Sequence, residues 1–97
     1  MFSQLVRVKV QPGKVDEAIA IFNDVVIPAA RQQKGFRNAY LLVDRSANRG
    51  VGFSLWETEA DVEALATSGF YQEQVAKFAA VFDGPPEREV YEVGAGA

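Results

Sequence analysis

The stretch FRNAYLLVDRSANRGVGFSLWE, residues 36 to 57, decides the fold of this 97-residue chain. Two mostly apolar segments, FRNAYLLVD (36–44) and GVGFSLWE (50–57), flank the short polar linker RSANR. Segments of this kind, joined by a linker of hairpin length, are typical of two paired antiparallel strands. The stretch therefore predicts the hairpin of a sheet, and the elements on either side of it determine how the sheet is completed.

Upstream of the hairpin, the sequence predicts one strand followed by one long helix. LVRVKV (5–10) alternates with a period of two, which is the pattern of a strand. After the turn QPGK, apolar residues recur at helical spacing from 14 to 34, and Gly35 suits the position that follows a helix. Pro28 lies inside this pattern and predicts a kink near 24–28, with a break into two helices as the alternative.

Downstream of the hairpin, the sequence predicts a second helical region and a last strand. Thr58, with an acidic residue three positions later, resembles a capping box. The helical spacing pauses at Ser68, which predicts two segments, and resumes through Phe82. REVYEV (88–93) then forms the last strand. With right-handed crossovers, the order β-α-β-β-α-β is a ferredoxin-like α+β fold with both helices on one face of the sheet.

The composition limits what the chain can bind. The net charge is −3 and the basic residues are scattered, so we expect no nucleic-acid partner. The chain has neither Cys nor His, and we expect no metal site. No apolar run approaches the roughly 20 residues that span a bilayer, and no signal-peptide pattern is present, so we expect a cytoplasmic protein without a membrane partner. We predict one domain over 1–93 and a flexible tail over 94–97.

Three segments of the chain resemble one known family. VRVKVQPGKVDEAIAIF, KGFRNAYLL and VGFSLWETEADVEALATSGFY are similar to the antibiotic-biosynthesis monooxygenase group of dimeric α+β barrel proteins, over nearly the whole chain. The resemblance implies that two copies pack through their sheets as a homodimer, which would form a dimeric α+β barrel. It also implies a cofactor-independent branch of the group, acting on a small aromatic ligand.

The segment LWETEADVEALATSGFY is also similar to the haem-degrading monooxygenases. In an ungapped comparison, the haem-site asparagine of those proteins falls at Val6, their catalytic tryptophan at Leu65 and their haem-ligating histidine at Val75. All three positions are aliphatic here, and an aliphatic side chain supplies no ligand to iron. We therefore expect no stoichiometric haem binding and no other cofactor.

The hairpin contains the first group of candidate site residues. Asn38, Tyr40 and Trp56 share strand parity, and a five-residue linker predicts a register that places Asn38 opposite or diagonal to Trp56. One hypothesis is a pocket where Asn38 is catalytic and Tyr40 and Trp56 bind a phenol or quinone oxygen. The alternative is that this mixed face is the contact between two subunits. For Trp56 there is also the alternative of a simple core residue.

The start of the last helical segment contains the second group. Tyr71 follows Ser68 and Phe70, and its phenol hydroxyl suits a hydrogen bond to a bound substrate. We predict that Tyr71 is catalytic and that Ser68 and Phe70 bind substrate. Amphipathic packing is the alternative for Tyr71, and a helix N-cap is the alternative for Ser68.

Two functions are compatible with these features. The first is a cofactor-independent monooxygenase-like enzyme acting on a small aromatic or quinol substrate, whose own anion supplies electrons to oxygen. The second is a non-catalytic dimeric domain of the same fold, which binds a small ligand or serves assembly. Oxygen uptake with hydroquinones and naphthols would favour the enzyme, whereas a ligand-dependent melting shift without turnover would favour the binding domain.

Overall fold

Four antiparallel strands form one sheet in the spatial order β2-β3-β1-β4. The computed structural model describes all 97 residues. The strands are β1 Phe2–Lys9, β2 Phe36–Asp44, β3 Arg49–Trp56 and β4 Glu87–Glu92. Helical regions connect β1 to β2 and β3 to β4, which is the arrangement of a ferredoxin-like domain. The predicted α+β fold is confirmed.

The helices pack on one face of the sheet, here called the inner face. They are α1 Val15–Ile21, α2 Ile27–Arg31, α3 Glu59–Thr67 and α4 Phe70–Ala76, with a π-helical segment Phe22–Val26 between α1 and α2. One buried cluster joins β1 to α1 and to the residues after α4, and a second joins the end of β3 to α2 and α3. None of the helices has the length and apolar run that crossing a membrane requires. The core therefore lies between the sheet and the helices.

The first helix changes its hydrogen-bonding pattern just before Pro28. Proline has no backbone N–H to donate to the carbonyl of Asp24, and its ring crowds the preceding turn. The chain accommodates this with the π-helical segment and then resumes α2 with Pro28 in its first turn. The irregularity predicted at 24–28 is therefore a widened turn. The backbone at Ile27 stays helical, with φ −61° and ψ −49°, so the helix does not break in two.

The turn between β2 and β3 is one residue shorter than predicted. Asp44 pairs with Arg49, which leaves four residues in the turn instead of five. The Asp44 carboxylate holds this turn, because Oδ1 accepts hydrogen bonds from the Ser46 hydroxyl at 2.8 Å and the Ala47 N–H at 3.2 Å. Asn48 ends the turn with φ 51°, a left-handed conformation that asparagine tolerates better than most residues.

This shorter turn corrects the predicted register and separates the hairpin candidates. Asn38 pairs with Leu55, so residues of unlike parity face each other. A β-bulge between Phe36 and Asn38 places the Phe36 side chain on the same face of the sheet as Trp56. Asn38 and Tyr40 consequently lie on the outer face of the sheet, whereas Trp56 lies on the inner face. The prediction that Asn38 neighbours Trp56 is wrong, and the pocket expected from these three residues does not form.

The outer face of the sheet carries exposed apolar side chains. Tyr40, Leu42 and Tyr91 are 57%, 56% and 50% exposed. Tyr40, Phe53 and Leu5 follow one another across three neighbouring strands, and the rings of Tyr40 and Phe53 stack with centroids 6.5 Å apart. The outer face therefore presents a group of neighbouring apolar side chains to solvent.

Beyond α4 the chain does not continue as a helix to Phe82, which corrects the prediction. Residues 77–83, here called the post-α4 segment, instead contain turns. Most of these turns are closed by a hydrogen bond from the N–H of residue i to the carbonyl of residue i−3. Its backbone then bonds to the end of β1: the Gln11 N–H donates to the Val81 carbonyl at 2.9 Å, and the Asp83 N–H donates to the Lys9 carbonyl at 2.8 Å. Pairing these backbone groups with the end of β1 stabilises the chain more than a continued helix would.

Candidate functional site

A mainly apolar cavity of about 100 Å³ lies between the inner face of the sheet and the helices. Its polar side chains are few, namely Gln4, Tyr71 and Gln74. The lining residues are Gln4, Val6, Val8, Val10, Val15, Ala18, Phe22, Val26, Ala30, Leu41, Val43, Gly50, Gly52, Phe53, Trp56, Leu65, Phe70, Tyr71, Gln74, Val75, Phe78 and Phe82. A ligand of this cavity would be mostly apolar, with one or two hydrogen-bonding groups.

Two glycines of β3 leave room for the cavity. Gly50 and Gly52 lie on the inner face, where any other residue would project a side chain toward the helices. A Cβ at Gly52 would stand 3.7 Å from the Phe22 ring and 3.9 Å from Val6, which is ordinary contact. A Cβ at Gly50 would stand 3.0 Å from the Leu42 carbonyl oxygen, which is too close. A side chain therefore fits at position 52, whereas at position 50 it crowds the backbone of β2.

Replacing Gly52 with alanine is expected to raise the free energy of unfolding by about 0.5 kcal/mol, because glycine loses more backbone entropy than alanine in a strand. Gly52→Val extends further into the cavity and is expected to abolish the binding of toluene as a probe. Gly50→Ala is the matched control and is expected to destabilise the fold. Urea unfolding and NMR titration measure these effects. Undiminished toluene binding by Gly52→Val would contradict this position of the cavity wall.

Trp56 closes one part of the cavity and is only 1% exposed. Its indole N–H donates to the Ser54 hydroxyl at 2.9 Å, so this buried donor already has a partner in the protein. The Phe36 ring meets the indole edge-on, with centroids 5.5 Å apart. Trp56 is therefore a core residue with one surface on the cavity, and its N–H is not free for a substrate.

Tyr71 lines the same cavity from the first turn of α4. Its side chain is half-buried, and the guanidinium carbon of Arg88 lies 5.5 Å from its ring centroid. Burial raises the pKa of the Tyr71 hydroxyl, and the positive charge of Arg88 opposes part of that rise. Near neutral pH the hydroxyl is therefore protonated and can donate a hydrogen bond.

Arg88 is a residue of this site that the sequence analysis missed. It lies on the inner face because it pairs with Val6 in the β1–β4 ladder. Its Nε–H donates to Gln4 Oε1 at 2.6 Å, and its Nη2 donates to the Val62 carbonyl at 3.2 Å. These bonds fix a positive charge behind two lining residues, Gln4 and Tyr71. The alternation in REVYEV places Arg88 on one face of the last strand, but that pattern alone does not say which face is covered by helices.

The structure brings three of the predicted site residues together, since Trp56, Phe70 and Tyr71 all line the cavity. Ser68 is exposed at the end of α3 and is not a lining residue. Its hydroxyl accepts a hydrogen bond from the Phe70 N–H at 3.3 Å, which is a capping contact for α4, although Gly69 holds the N-cap position itself. The two hairpin candidates on the outer face are separated from the cavity by the sheet.

Tyr71 is the only ionisable side chain that lines the cavity. No carboxylate or amine is present there to act as a general base in direct contact with a ligand. No group of three or more His, Cys, Asp or Glu side chains is arranged to hold a metal ion. The cavity can therefore exclude water and donate a hydrogen bond, but it offers little acid–base chemistry of its own.

Comparison with known proteins identifies the family that has this fold. A sequence model described as "Antibiotic biosynthesis monooxygenase" matches residues 1–82. The chain belongs to this family. The resemblance noted in the sequence is thus confirmed. Uncharacterized protein Rv2557 of Mycobacterium tuberculosis is 33% identical to this chain over 99 residues, covering 98% of this chain. The match covers 42% of that relative, so the chain spans less than half of its length.

Solved structures share the fold of this chain. SnoaB, a cofactor-independent oxygenase from Streptomyces nogalater, has a TM-score of 0.78 at 16% identity, covering 98% of this chain and 94% of SnoaB. The NE2512 protein of unknown function from Nitrosomonas europaea has a TM-score of 0.74 at 25% identity, covering 99% of this chain and 91% of that protein. These likenesses agree with the family assignment at the level of architecture.

Proposed function

We propose that the chain is a cofactor-independent monooxygenase-like enzyme that acts on a small aromatic or quinol substrate in the cavity between the sheet and the helices. The observation that carries this proposal is the phenol of Tyr71 at the wall of an apolar cavity, with the guanidinium of Arg88 held against its ring. SnoaB, which has the same fold, is a cofactor-independent oxygenase, and this supports the same chemical class here.

This class of reaction requires little from the protein. A phenol that loses its hydroxyl proton becomes an electron-rich anion, and a ring carbon that carries hydrogen, ortho or para to the oxygen, can bond to O2. Elimination of water from the resulting hydroperoxide, which takes the ring hydrogen and one peroxide oxygen, leaves a quinone, so O2 supplies both the new carbonyl oxygen and the oxygen of the water. The protein has to exclude bulk water, orient the ring and stabilise the anion. In this proposal the apolar walls perform the first two tasks.

Tyr71 performs the third task as a hydrogen-bond donor to the substrate oxygen. Its raised pKa keeps the hydroxyl protonated near neutral pH, and the charge of Arg88 favours an anion nearby. Because no carboxylate or amine lines the cavity, the acidity of the substrate itself decides how much anion forms. Among substrates of similar size, those with the more acidic hydroxyls should therefore react faster at neutral pH.

Oxygen consumption by the purified chain tests the proposal. A panel of hydroquinones and naphthols, supplied aerobically without added metal or cofactor, should include at least one substrate that is oxidised faster with protein than without it. The rate should rise with pH as the substrate hydroxyl ionises. If no member of the panel is turned over above the uncatalysed rate, the enzyme proposal fails.

Replacing Tyr71 with phenylalanine is expected to lower quinol oxidation by about tenfold or more, because it removes the donor to the substrate anion. The melting temperature should hardly change, since the half-buried ring is kept and the hydroxyl has no side-chain partner in the protein. Tyr40→Phe on the outer face is the matched control and should leave the rate unchanged. Full activity in Tyr71→Phe would show that Tyr71 has no catalytic role.

A non-catalytic ligand-binding domain is the second candidate, and the lack of a base along the cavity favours it. Such a domain would hold the same small aromatic molecules and leave them unchanged. Its signature is a melting temperature that rises with ligand concentration while oxygen uptake stays at the background rate. Measuring both quantities on the same samples separates the two functions.

We infer that a second copy of the chain covers the outer face of the sheet in a homodimer of the dimeric α+β barrel type. Two features support this: the exposed Tyr40 and Leu42, and the family membership. Asn38 and Tyr40 are then subunit contacts. Light scattering at micromolar concentration should give the mass of two chains, and a monomer would contradict the inference.

The cytoplasmic location stays a prediction.

A further inference from the structure

Gln74 has the environment of a ligand-binding residue, although nothing in its local sequence singles it out. It lies in α4, one turn after Tyr71 and one turn before Phe78, and all three residues line the cavity. Its side chain is 8% exposed, so the amide is removed from bulk water. A polar side chain on this stripe of the helix needs an explanation, because its lining neighbours along the stripe are mainly apolar.

The Gln74 amide lacks a partner for its oxygen. Oε1 is fully buried and receives no hydrogen bond from any protein group. Other polar groups of this region are already paired: the Trp56 N–H donates to Ser54, and the Arg88 Nε–H donates to Gln4. A buried acceptor without a donor destabilises a fold, and such groups are rare in native proteins. Because Gln74 lines the cavity, a turn of its amide about the terminal side-chain torsion would bring Oε1 within reach of a donor bound there.

We propose that Gln74 is the residue that selects hydroxylated ligands, with its Oε1 accepting a hydrogen bond from the O–H of a monocyclic phenol bound in the cavity. The proposal deepens the proposed function, since it concerns the same cavity and rests on that cavity being the binding site. The volume of about 100 Å³ sets the size of the ligand. This is less than the volume, about 150 Å³, of an apolar cavity that holds benzene, so one ring with a small polar substituent is the upper limit, and it fits only if the cavity walls move outward.

The Gln74 amide oxygen restricts which ligands bind, according to whether the ligand carries a hydroxyl, an ether or a carbonyl oxygen. A carbonyl oxygen opposes Oε1, because acceptors do not hydrogen-bond to each other, whereas a neutral hydroxyl satisfies it. With Oε1 turned toward the ligand, Gln74 therefore favours a phenol over its methyl ether and over the quinone that oxidation would produce. Tyr71, one helical turn away, offers the complementary donor hydroxyl to a second oxygen of the ligand. A benzenediol would satisfy both groups at once.

Phenol, anisole and toluene are the probes that test this role, because they share a ring and differ in the hydroxyl donor. The full chain contains one tryptophan, and its indole N–H resonance reports binding in NMR titrations because Trp56 lines the cavity. The wild type should bind phenol about fivefold more tightly than anisole, the size expected for one hydrogen bond. Gln74→Met, which keeps the length of the side chain without the amide, should bring this ratio close to one and leave toluene binding intact.

The exposed Gln72 on the same helix provides the control, and Gln72→Met should keep the phenol preference. Gln74→Met should also melt at or above the wild-type temperature, because it removes an unpaired buried amide; this shows that the variant is folded. Equal preference for phenol in Gln74→Met and wild type would overturn the proposal. A wild type that binds none of the three probes would also overturn it.

Oxygen uptake with hydroquinone, measured on the same variants, distinguishes this proposal from the enzymatic one. A phenol preference that depends on Gln74, without any oxygen uptake, supports the role of Gln74 and removes the monooxygenase function. Oxygen uptake by a wild type whose phenol preference survives Gln74→Met supports the enzyme and overturns the role of Gln74.

Discussion

Replacing Gly35 with alanine is expected to lower the free energy of unfolding by about 3 kcal/mol or more. Gly35 has φ +83°, a conformation that strains any residue with a side chain. A Cβ there would stand 2.8 Å from the Cβ of Asp61 and closer still to its carboxylate. Because Asp61 is buried in the first turn of α3, the whole helix would have to move away from the start of β2.

Two further variants separate backbone strain from this collision. Gly69 has φ +85°, but a Cβ there meets nothing within 4 Å, so Gly69→Ala measures the strain alone. That strain should cost about 1 kcal/mol. Adding Asp61→Ala to Gly35→Ala removes the carboxylate and should recover about 1 kcal/mol relative to the sum of the single changes. Urea unfolding measures the wild type, the single variants Gly35→Ala, Gly69→Ala and Asp61→Ala, and the double variant. If Gly35→Ala costs no more than Gly69→Ala, Asp61 does not pack against Gly35 in solution.

Replacing Trp56 with alanine is expected to lower the free energy of unfolding by about 3–5 kcal/mol, because it deletes a large side chain that is 1% exposed. The loss includes the edge-on contact with Phe36 and the packing against Val62 and Leu65 in the second buried cluster. Trp56→Phe keeps a ring and should cost only about 1–2 kcal/mol. Urea unfolding monitored by circular dichroism measures both changes without relying on tryptophan fluorescence.

Ser54→Ala isolates the hydrogen bond of the indole. It leaves the Trp56 N–H buried without its 2.9 Å acceptor and should cost about 1–2 kcal/mol. In the Trp56→Phe background, the same change should cost much less, because the donor is already gone. A loss below about 1 kcal/mol for Trp56→Ala would mean that the indole is not part of the core, and the cavity wall described here would have to be revised.

The strands and their order could be predicted because each depends on local periodicity and on the handedness of crossovers. The segment 36–44 was predicted as a strand, and β2 spans those residues. The register of β2 and β3 could not be predicted, because it depends on whether Arg49 belongs to the turn or to the strand. The left-handed backbone of Asn48 decides this, and one residue of shift moves every side chain of β3 to the other face relative to β2.

The candidate site was predictable only in part, for the same reason. Tyr71 and Phe70 could be found because their position depends on one helix. Arg88 belongs to the site only through the pairing of β4 with β1, which joins residues far apart in the sequence. The position of Gln74 on the face of Tyr71 follows from helical spacing, but nothing in the local sequence singles the residue out. Its importance depends on the lack of a partner, and hydrogen-bond partners cannot be counted without the fold.

The two backbone hydrogen bonds between the end of β1 and the post-α4 segment bear on how fast a ligand can enter and leave the cavity. Phe78 and Phe82 on this segment form part of the cavity wall. Because two backbone hydrogen bonds tie the segment to β1, we expect it to separate from β1 at a lower cost in free energy than the strands separate from one another. The amide hydrogens of Gln11 and Asp83 are bonded across this contact, so we expect them to exchange with solvent when this wall opens. A molecule using this route enters and leaves no faster than the wall opens, so its residence time depends on local unfolding as well as on its own contacts.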